Sequence, residues 1–126
     1  MTQTILIIDE QIAVRQLVQQ ALQKVGYQTT VVDNAQQAFE SISQNKPNAI
    51  IVDDQLADMS GGQLCRQIKQ ESATRDIPVI MHSQGLRVTN PEYIKATGAD
   101  ISLSKPVSID VVLKAVESVL RSILIL

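Results

Sequence analysis

Several charged and hydroxyl residues of this 126-residue chain stand where an apolar run stops. Asp9 and Glu10 close Ile5-Leu6-Ile7-Ile8, and Asp53 and Asp54 close Ala49-Ile50-Ile51-Val52. Ser83 lies just past Ile77-Pro78-Val79-Ile80-Met81, and Lys105 just past Ile101-Ser102-Leu103. If those runs lie side by side, their acids converge. Two carboxylates about 4 Å apart repel by roughly 4 kcal/mol at an effective dielectric near 20. Either they share a proton or a cation sits between them. An all-oxygen site with few carboxylates suits Mg²⁺ better than a dedicated Ca²⁺ cage. A carboxylate beside Mg²⁺, with a lysine and a hydroxyl nearby, is equipped to attack phosphorus. Metal and lysine would neutralise the phosphoryl oxygens, and the hydroxyl would donate a hydrogen bond to them.

The elements that must position these residues alternate along the chain. Thr4–Ile8 reads as a strand buried on both faces, because it is short, β-branched and uniformly apolar. Ile12, Val14, Leu17, Val18, Ala21, Leu22 and Val25 follow the helical period, and Gly26 stands where a left-handed stop belongs. Thr29–Val32 is a second strand, and Asn34 caps a helix through Ala38, Phe39 and Ile42 that ends at Asn45-Lys46-Pro47. Ala49–Val52 is the third strand, followed by a helix marked by Leu64, Cys65 and Ile68. Ile77–Met81 is the fourth strand. Asn90-Pro91 opens a short helix that stops at Gly98. Ile101–Leu103 is the fifth strand, and Ser108 caps a last helix with Val112, Val116, Val119 and Ile123 on one stripe. Apolar strands alternating with helices predict an α/β fold, a parallel sheet covered on both faces. Right-handed crossovers make a flavodoxin-like, doubly wound sheet of strand order 2-1-3-4-5 the economical topology, with residues 1–126 as one domain. In such a sheet ligands bind outside the carboxyl ends of the strands, where the polar residues above stand.

Composition removes several functions. Hydrophobic residues make up 44% of the chain, enough for a real core, yet only Tyr27, Phe39 and Tyr93 are aromatic. Base-stacking platforms are therefore excluded, and a net charge of −2 offers no footprint for a phosphate backbone. One cysteine and one histidine exclude an internal disulfide and a Cys/His metal site. No run reaches membrane-spanning length and MTQT is no signal-peptide start, so a cytoplasmic protein without direct nucleic-acid or membrane partners is expected. Neither G-x-x-x-x-G-K nor G-x-G-x-x-G occurs, so Gly61-Gly62 is a turn feature and no phosphate loop.

Along essentially its full length the chain resembles a response-regulator receiver domain of two-component signalling, of the chemotaxis-regulator type. Ile5–Gln11 resembles the family's opening strand and acidic pair. Ala49–Asp53 with Met59-Ser60-Gly61-Gly62 resembles the phosphoacceptor strand and its glycine-bearing loop. Ile77–Ser83 resembles the strand ending in a hydroxyl. Gly98-Ala99-Asp100 and Leu103-Ser104-Lys105-Pro106 resemble the fifth strand and its Lys-Pro close. The resemblance implies that Asp53 accepts a phosphoryl group from a histidine kinase or phosphotransfer protein. It implies Mg²⁺ held by Asp9, Glu10, Asp53 and the main-chain carbonyl of Gln55, with Ser83 and Lys105 on the phosphoryl oxygens and a cis Lys105-Pro106 bond. Such a domain is no enzyme beyond its own phosphotransfer and dephosphorylation. It signals through a downstream protein, through a domain absent from this chain, or through a homodimer on the helix 4–strand 5–helix 5 face.

The chain departs from the family pattern at informative places. Glu10 replaces the more usual second Asp, Ala57-Asp58 replaces a Pro-Gly type of turn, and Ser60 stands where Asp is frequent. Gln84 replaces a small residue after Ser83, where it would crowd the phosphoryl or donate to it. Ser102 replaces the Tyr or Phe whose inward swing follows the hydroxyl in the familiar switch. The competing reading is thus a degenerate receiver serving as a phosphorylation-independent docking or dimerisation module. A phosphatase of the haloacid-dehalogenase kind would want an acid at position 55, where Gln55 stands. Among the remaining polar residues, Asp54 reads as a solvated or helix-capping acid, His82 as a packed, hydrogen-bonded core histidine, and Cys65 as a small packing residue. Ser122–Leu126 is more apolar than a solvated end, and three readings stand open: the end of the core, a partner contact, or the start of a linker.

Overall fold

A computed structural model describes the backbone of residues 2–125 and the side chains of residues 2–121. The side chains of Ser122–Leu126 lie outside it. Strands β1 (Thr4–Ile8), β2 (Gln28–Val32), β3 (Ala49–Val52), β4 (Val79–Ser83) and β5 (Ile101–Ser104) form one sheet in the order β2-β1-β3-β4-β5. Every pairing is parallel. Helices α1 (Ile12–Lys24), α2 (Ala35–Gln44), α3 (Gly61–Gln70), α4 (Pro91–Thr97) and α5 (Ile109–Ile125) connect and cover it. The flavodoxin-like topology expected from the alternation is the one observed.

Strand alternation divides the core into two layers. Leu6, Ile8, Ile50, Val52 and Met81 face α2 and α3, where Ala38, Ile42, Leu64 and Ile68 meet them. Ile5, Ile7, Ile51 and Ile80 face α1 and α5, meeting Val18, Leu22, Val112 and Val116. Most of these side chains are aliphatic and fully buried, as a chain poor in aromatics requires. Cys65 belongs to the first layer, and burial pushes its thiol up to about 11, so it packs and does not react.

The helix boundaries follow local chemistry. Asn34 accepts the Gln37 N–H at 2.9 Å and Asn90 that of Glu92 at 2.9 Å. Ser60 and Gln63 form a capping box at the start of α3. Gly26 and Gly98 take the positive φ values of 103° and 79° that end α1 and α4. Several strand boundaries differ from expectation: β2 begins one residue earlier, at Gln28, β5 runs one residue further, to Ser104, and β4 is shifted at both ends. β4 begins at Val79, not Ile77, since Pro78 has no N–H to give the ladder and contributes only its carbonyl, to Ile50 N at 3.0 Å. It also continues through His82 to Ser83, so Ser83 is the last strand residue. A 3₁₀ turn at Leu86–Thr89 was not anticipated; it carries the chain from β4 to α4.

His82 is buried as expected, but its Nδ1 finds no hydrogen-bond partner, which corrects the reading of a hydrogen-bonded histidine. Burial first, then the nearby Lys105 charge, pull its pKa down from 6.5 to about 4. The unfolded chain therefore binds a proton that the folded one refuses. His82 contributes fully above pH 6.5, and that contribution is lost as pH falls toward 4. Replacing it with leucine should remove about 2 kcal/mol of the acid-induced loss between those limits. Urea unfolding of wild type and His82→Leu at neutral and mildly acidic pH measures this; parallel pH profiles would refute it.

Candidate functional site

The site residues converge because each extends its ladder by one bond past the strand end. Asp9 N–H donates to Val32 O at 3.1 Å, Asp53 N–H to Ile8 O at 2.9 Å, and Lys105 N–H to Ser83 O at 2.9 Å. With Ile8 paired to Val52 and Val52 to Met81, Asp9 and Asp53 end level on neighbouring strands. Each aspartate then closes the same local turn. Asp9 Oδ1 accepts the Gln11 N–H, and Asp53 Oδ1 accepts the Gln55 N–H, both at 2.9 Å. Their other oxygens face one another across the Lys105 ammonium. Lys105 Nζ donates to Asp9 Oδ2 at 2.7 Å, Asp53 Oδ2 at 2.8 Å and Gln11 Oε1 at 2.7 Å. All three charged side chains are about 95% buried or more. Lys105 precedes a cis bond to Pro106, as the resemblance implied.

Two carboxylates and one ammonium leave a net negative charge in a buried place. The strain shows at Asp9: burial raises its pKa, against the lowering by the Lys105 and Gln11 hydrogen bonds. Among the described residues, no three His, Cys, Asp or Glu side chains gather closely enough to hold a metal by themselves. Glu10 is exposed. The donor chemistry still fits a hard divalent cation: two buried carboxylates with surplus negative charge and an adjacent loop of backbone carbonyls.

Ser83 is fully buried, and its Oγ accepts the Gly85 N–H at 3.2 Å. A methyl group on Gly85 would lie 3.5 Å from Gln55 Nε2 and 3.6 Å from Ser83 Oγ, so these three groups meet at one rim of the site. Gln84 is exposed. Gly61 and Gly62 are the first residues of α3, and neither tolerates a side chain. A Cβ at Gly61 would overlap the Asp53 carbonyl and sit 2.9 Å from Asp54 Cα; one at Gly62 would overlap Tyr93 Oη. They let α3 start directly against the strand end. Asp58, placed in the loop before them, accepts the Ala35 and Gln36 N–H groups at 2.9 and 3.0 Å, and these bonds hold its carboxyl below the usual range. It thereby caps α2 from another loop.

Asp54 corrects the expectation of a solvated acid. It is 2% exposed and accepts from Gly62 N–H at 2.9 Å, Tyr93 Oη–H at 2.6 Å and the Arg87 guanidinium at 2.9 Å. The capping half of the expectation holds, because Gly62 N–H belongs to the first turn of α3. Burial first, then the hydrogen bond to Asp54 and its charge, raise the Tyr93 pKa and keep the phenol protonated. Gln11, Arg87 and Tyr93 were not singled out from the sequence. The available signals were a polar residue directly after two strand-end acids, one cation in the loop after Ser83, and one of only three aromatics.

A sheet of order 2-1-3-4-5 with acids at the ends of β1 and β3, a hydroxyl at the end of β4 and a lysine after β5 defines a class of domain. The sequence pattern of the response regulator receiver domain matches residues 5–117, and the chain belongs to that family. It is 35% identical over 118 residues to the phosphate regulon transcriptional regulatory protein PhoB of Pseudomonas aeruginosa, covering 94% of this chain and 52% of the relative. The Escherichia coli PhoB is 30% identical over 125 residues, covering 98% and 54%. The chain thus spans about half the length of these relatives. Among solved structures, the signal receiver domain of a histidine kinase from Syntrophus aciditrophicus superposes with a TM-score of 0.86 at 29% identity, covering 96% of this chain and 92% of that one. A CheY-like receiver domain from Methanospirillum hungatei shares the fold with a TM-score of 0.89 at 24% identity, over 97% and 96% of the two chains. No described helix is long and apolar enough to cross a membrane.

The bridging lysine gives a direct test of the charge argument. Lys105→Met leaves two buried carboxylates facing one another without a cation. Chemical denaturation at pH 7 should show a loss of about 3 kcal/mol. At pH 4 the carboxyls can take up a proton instead, and the loss should shrink. A small or pH-independent difference would contradict the central role given to Lys105.

Proposed function

We propose that the chain is a phosphoacceptor of a two-component phosphorelay, taking a phosphoryl group from a histidine kinase or phosphotransfer protein onto Asp53. The supporting observation is the buried arrangement of Asp9, Asp53 and Lys105 with Ser83 beside it. An Asp53 oxygen attacks phosphorus, the donor's N–P bond breaks, and its electron pair stays on the histidine nitrogen, which is protonated on leaving. The product is an acyl phosphate. Lys105, already 2.8 Å from Asp53 Oδ2, stays paired with the new phosphoryl oxygens, and the Ser83 hydroxyl turns its hydrogen toward them.

Mg²⁺ would be held by Asp9, Asp53 and the main-chain carbonyl of Gln55, with Glu10 reaching it directly or through water. When bound it would supply charge neutralisation for the incoming oxygens. Gln11 Oε1, 2.7 Å from Lys105 Nζ, gives the ammonium a neutral acceptor that would remain available to it if Asp9 served the metal. Output would pass through contacts with a downstream protein or a further domain.

Incubation with acetyl phosphate and Mg²⁺, followed by intact-mass measurement, tests this reading. One phosphoryl adduct is expected in wild type and none in Asp53→Asn or without Mg²⁺. Mg²⁺ at about ten times its Kd should also stabilise the wild type by about 1.4 kcal/mol and leave Asp9→Asn nearly unmoved in a thermal melt. A folded wild type that takes no adduct and shows no Mg²⁺ effect would overturn the proposal in favour of a docking module.

A further inference from the structure

The end of the domain opposite the phosphoacceptor carries a cleft of about 620 Å³. Helices α2 and α3 run back from the carboxyl ends of the strands, and the cleft lies between their last turns. Phe39, Ile42 and Ile68 give it an apolar wall, continuous with the core layer to which they belong. Its volume is within the range of sites that hold small organic molecules, and an apolar lining with few polar groups is their usual composition. The two charged residues of the lining are Lys46 and Glu71. Neither makes an ion pair or a side-chain hydrogen bond among the described residues, so both are free to meet an occupant.

The two charges are not equivalent. A helix C-terminus carries about half a negative charge, so a cation beside it is stabilising and an anion is not. Lys46 stands just beyond Gln44 and answers the end of α2, whose last turn has no base of its own. Glu71 is the residue that caps α3, where its sign is the wrong one. The base in the last turn of α3 does not correct this, because Lys69 Nζ is spent on Ile77 O at 2.7 Å and Asp100 Oδ2 at 2.9 Å. Arg75, further along the chain, makes no ion pair with Glu71. The α3 side of the cleft is therefore an unmatched focus of negative charge at the edge of an apolar wall. We propose that the cleft binds a small organic cation, an ammonium or amidinium group on an aromatic or aliphatic body. The charged group lies against Glu71 and the end of α3, and the body covers Phe39, Ile42 and Ile68. A partner helix fits less well: anchors at i, i+3, i+4 and i+7 span roughly 10 Å, whereas residues 39–43 and 67–70 wall the cleft with little more than one turn of each helix.

This site does not rest on the reading of Asp53 as acceptor. The probe is 2-phenylethylammonium, titrated at neutral pH and about 0.15 M salt and followed by amide chemical shifts. Shifts should concentrate at residues 39–46 and 67–74, with a Kd on the order of 1 mM, the strength expected of so small a ligand. The anion 3-phenylpropionate, with the same aromatic body, should bind about fivefold more weakly or worse. Glu71→Gln should weaken the amine about fivefold and bring the two probes level. Glu71 is exposed and leaves a helix end of its own sign, so this variant should melt no lower than wild type. Ala73→Trp sets a ring into the cleft from an exposed position and should abolish the shifts. Equal binding of the two probes by wild type, or amine shifts that survive Ala73→Trp, would overturn the proposal. No localised shift at about twenty times that Kd would do the same. Shifts at these residues on raising the protein concentration alone would assign the cleft to a second copy and overturn it too.

Discussion

The ammonium of Lys105 between Asp9 and Asp53 is the interaction on which the site depends. Two strand ends bring carboxylates together at a depth where water cannot screen them, and one cation from a third strand holds them there. It binds three acceptors at once, which fixes its position better than a single ion pair would. The arrangement sets two carboxylates against one ammonium, and burial above all raises the Asp9 pKa. A place built this way favours the arrival of positive charge and of a group that brings such charge with it.

The surrounding loops are arranged to keep this place rigid. Gln11 stands at the N-cap of α1 yet makes no side-chain cap, because its amide oxygen is given to Lys105. A helix end forgoes stabilisation so that a buried ammonium is positioned, a local rule broken where charge is concentrated. The opposite holds for α2 and α3, which are capped twice over: by their own Asn34 and Ser60, and from outside by Asp58 and Asp54. The loop after Asp53 is thereby fastened to two helices.

Much of this was legible in the sequence, for identifiable reasons. Apolar, β-branched strands announced a doubly covered sheet, and the polar residues terminating them announced the buried cluster of Asp9, Asp53 and Lys105. Asn34, Asn90, Gly26 and Gly98 set helix ends by chemistry that acts within a few residues. What escaped depended on partners distant along the chain. Asp54 reads as an ordinary exposed acid until Arg87 and Tyr93, more than thirty residues away, close over it. The turn at Leu86–Thr89 has no hydrophobic period, and its shape is set by Ser83 and Ser102 on either side. The start of β4 was misplaced because Ile77 has the right character, while Pro78 lacks the donor that a ladder residue needs.

The pair Asp53-Asp54 also bears on how β3 finds its place. Ala49-Ile50-Ile51-Val52 is fully buried on both faces, so sliding the strand by one residue would exchange apolar side chains for apolar side chains. Hydrophobic patterning specifies register only where the two faces differ, and here they scarcely do. The two acids differ completely in what receives them: one meets an ammonium, the other a guanidinium, a phenol and a helix amide. A strand shifted by one position would present each acid to the wrong donors and leave buried charge unmatched. The charged ends of the strands therefore act as a key that selects one alignment among several the core would accept.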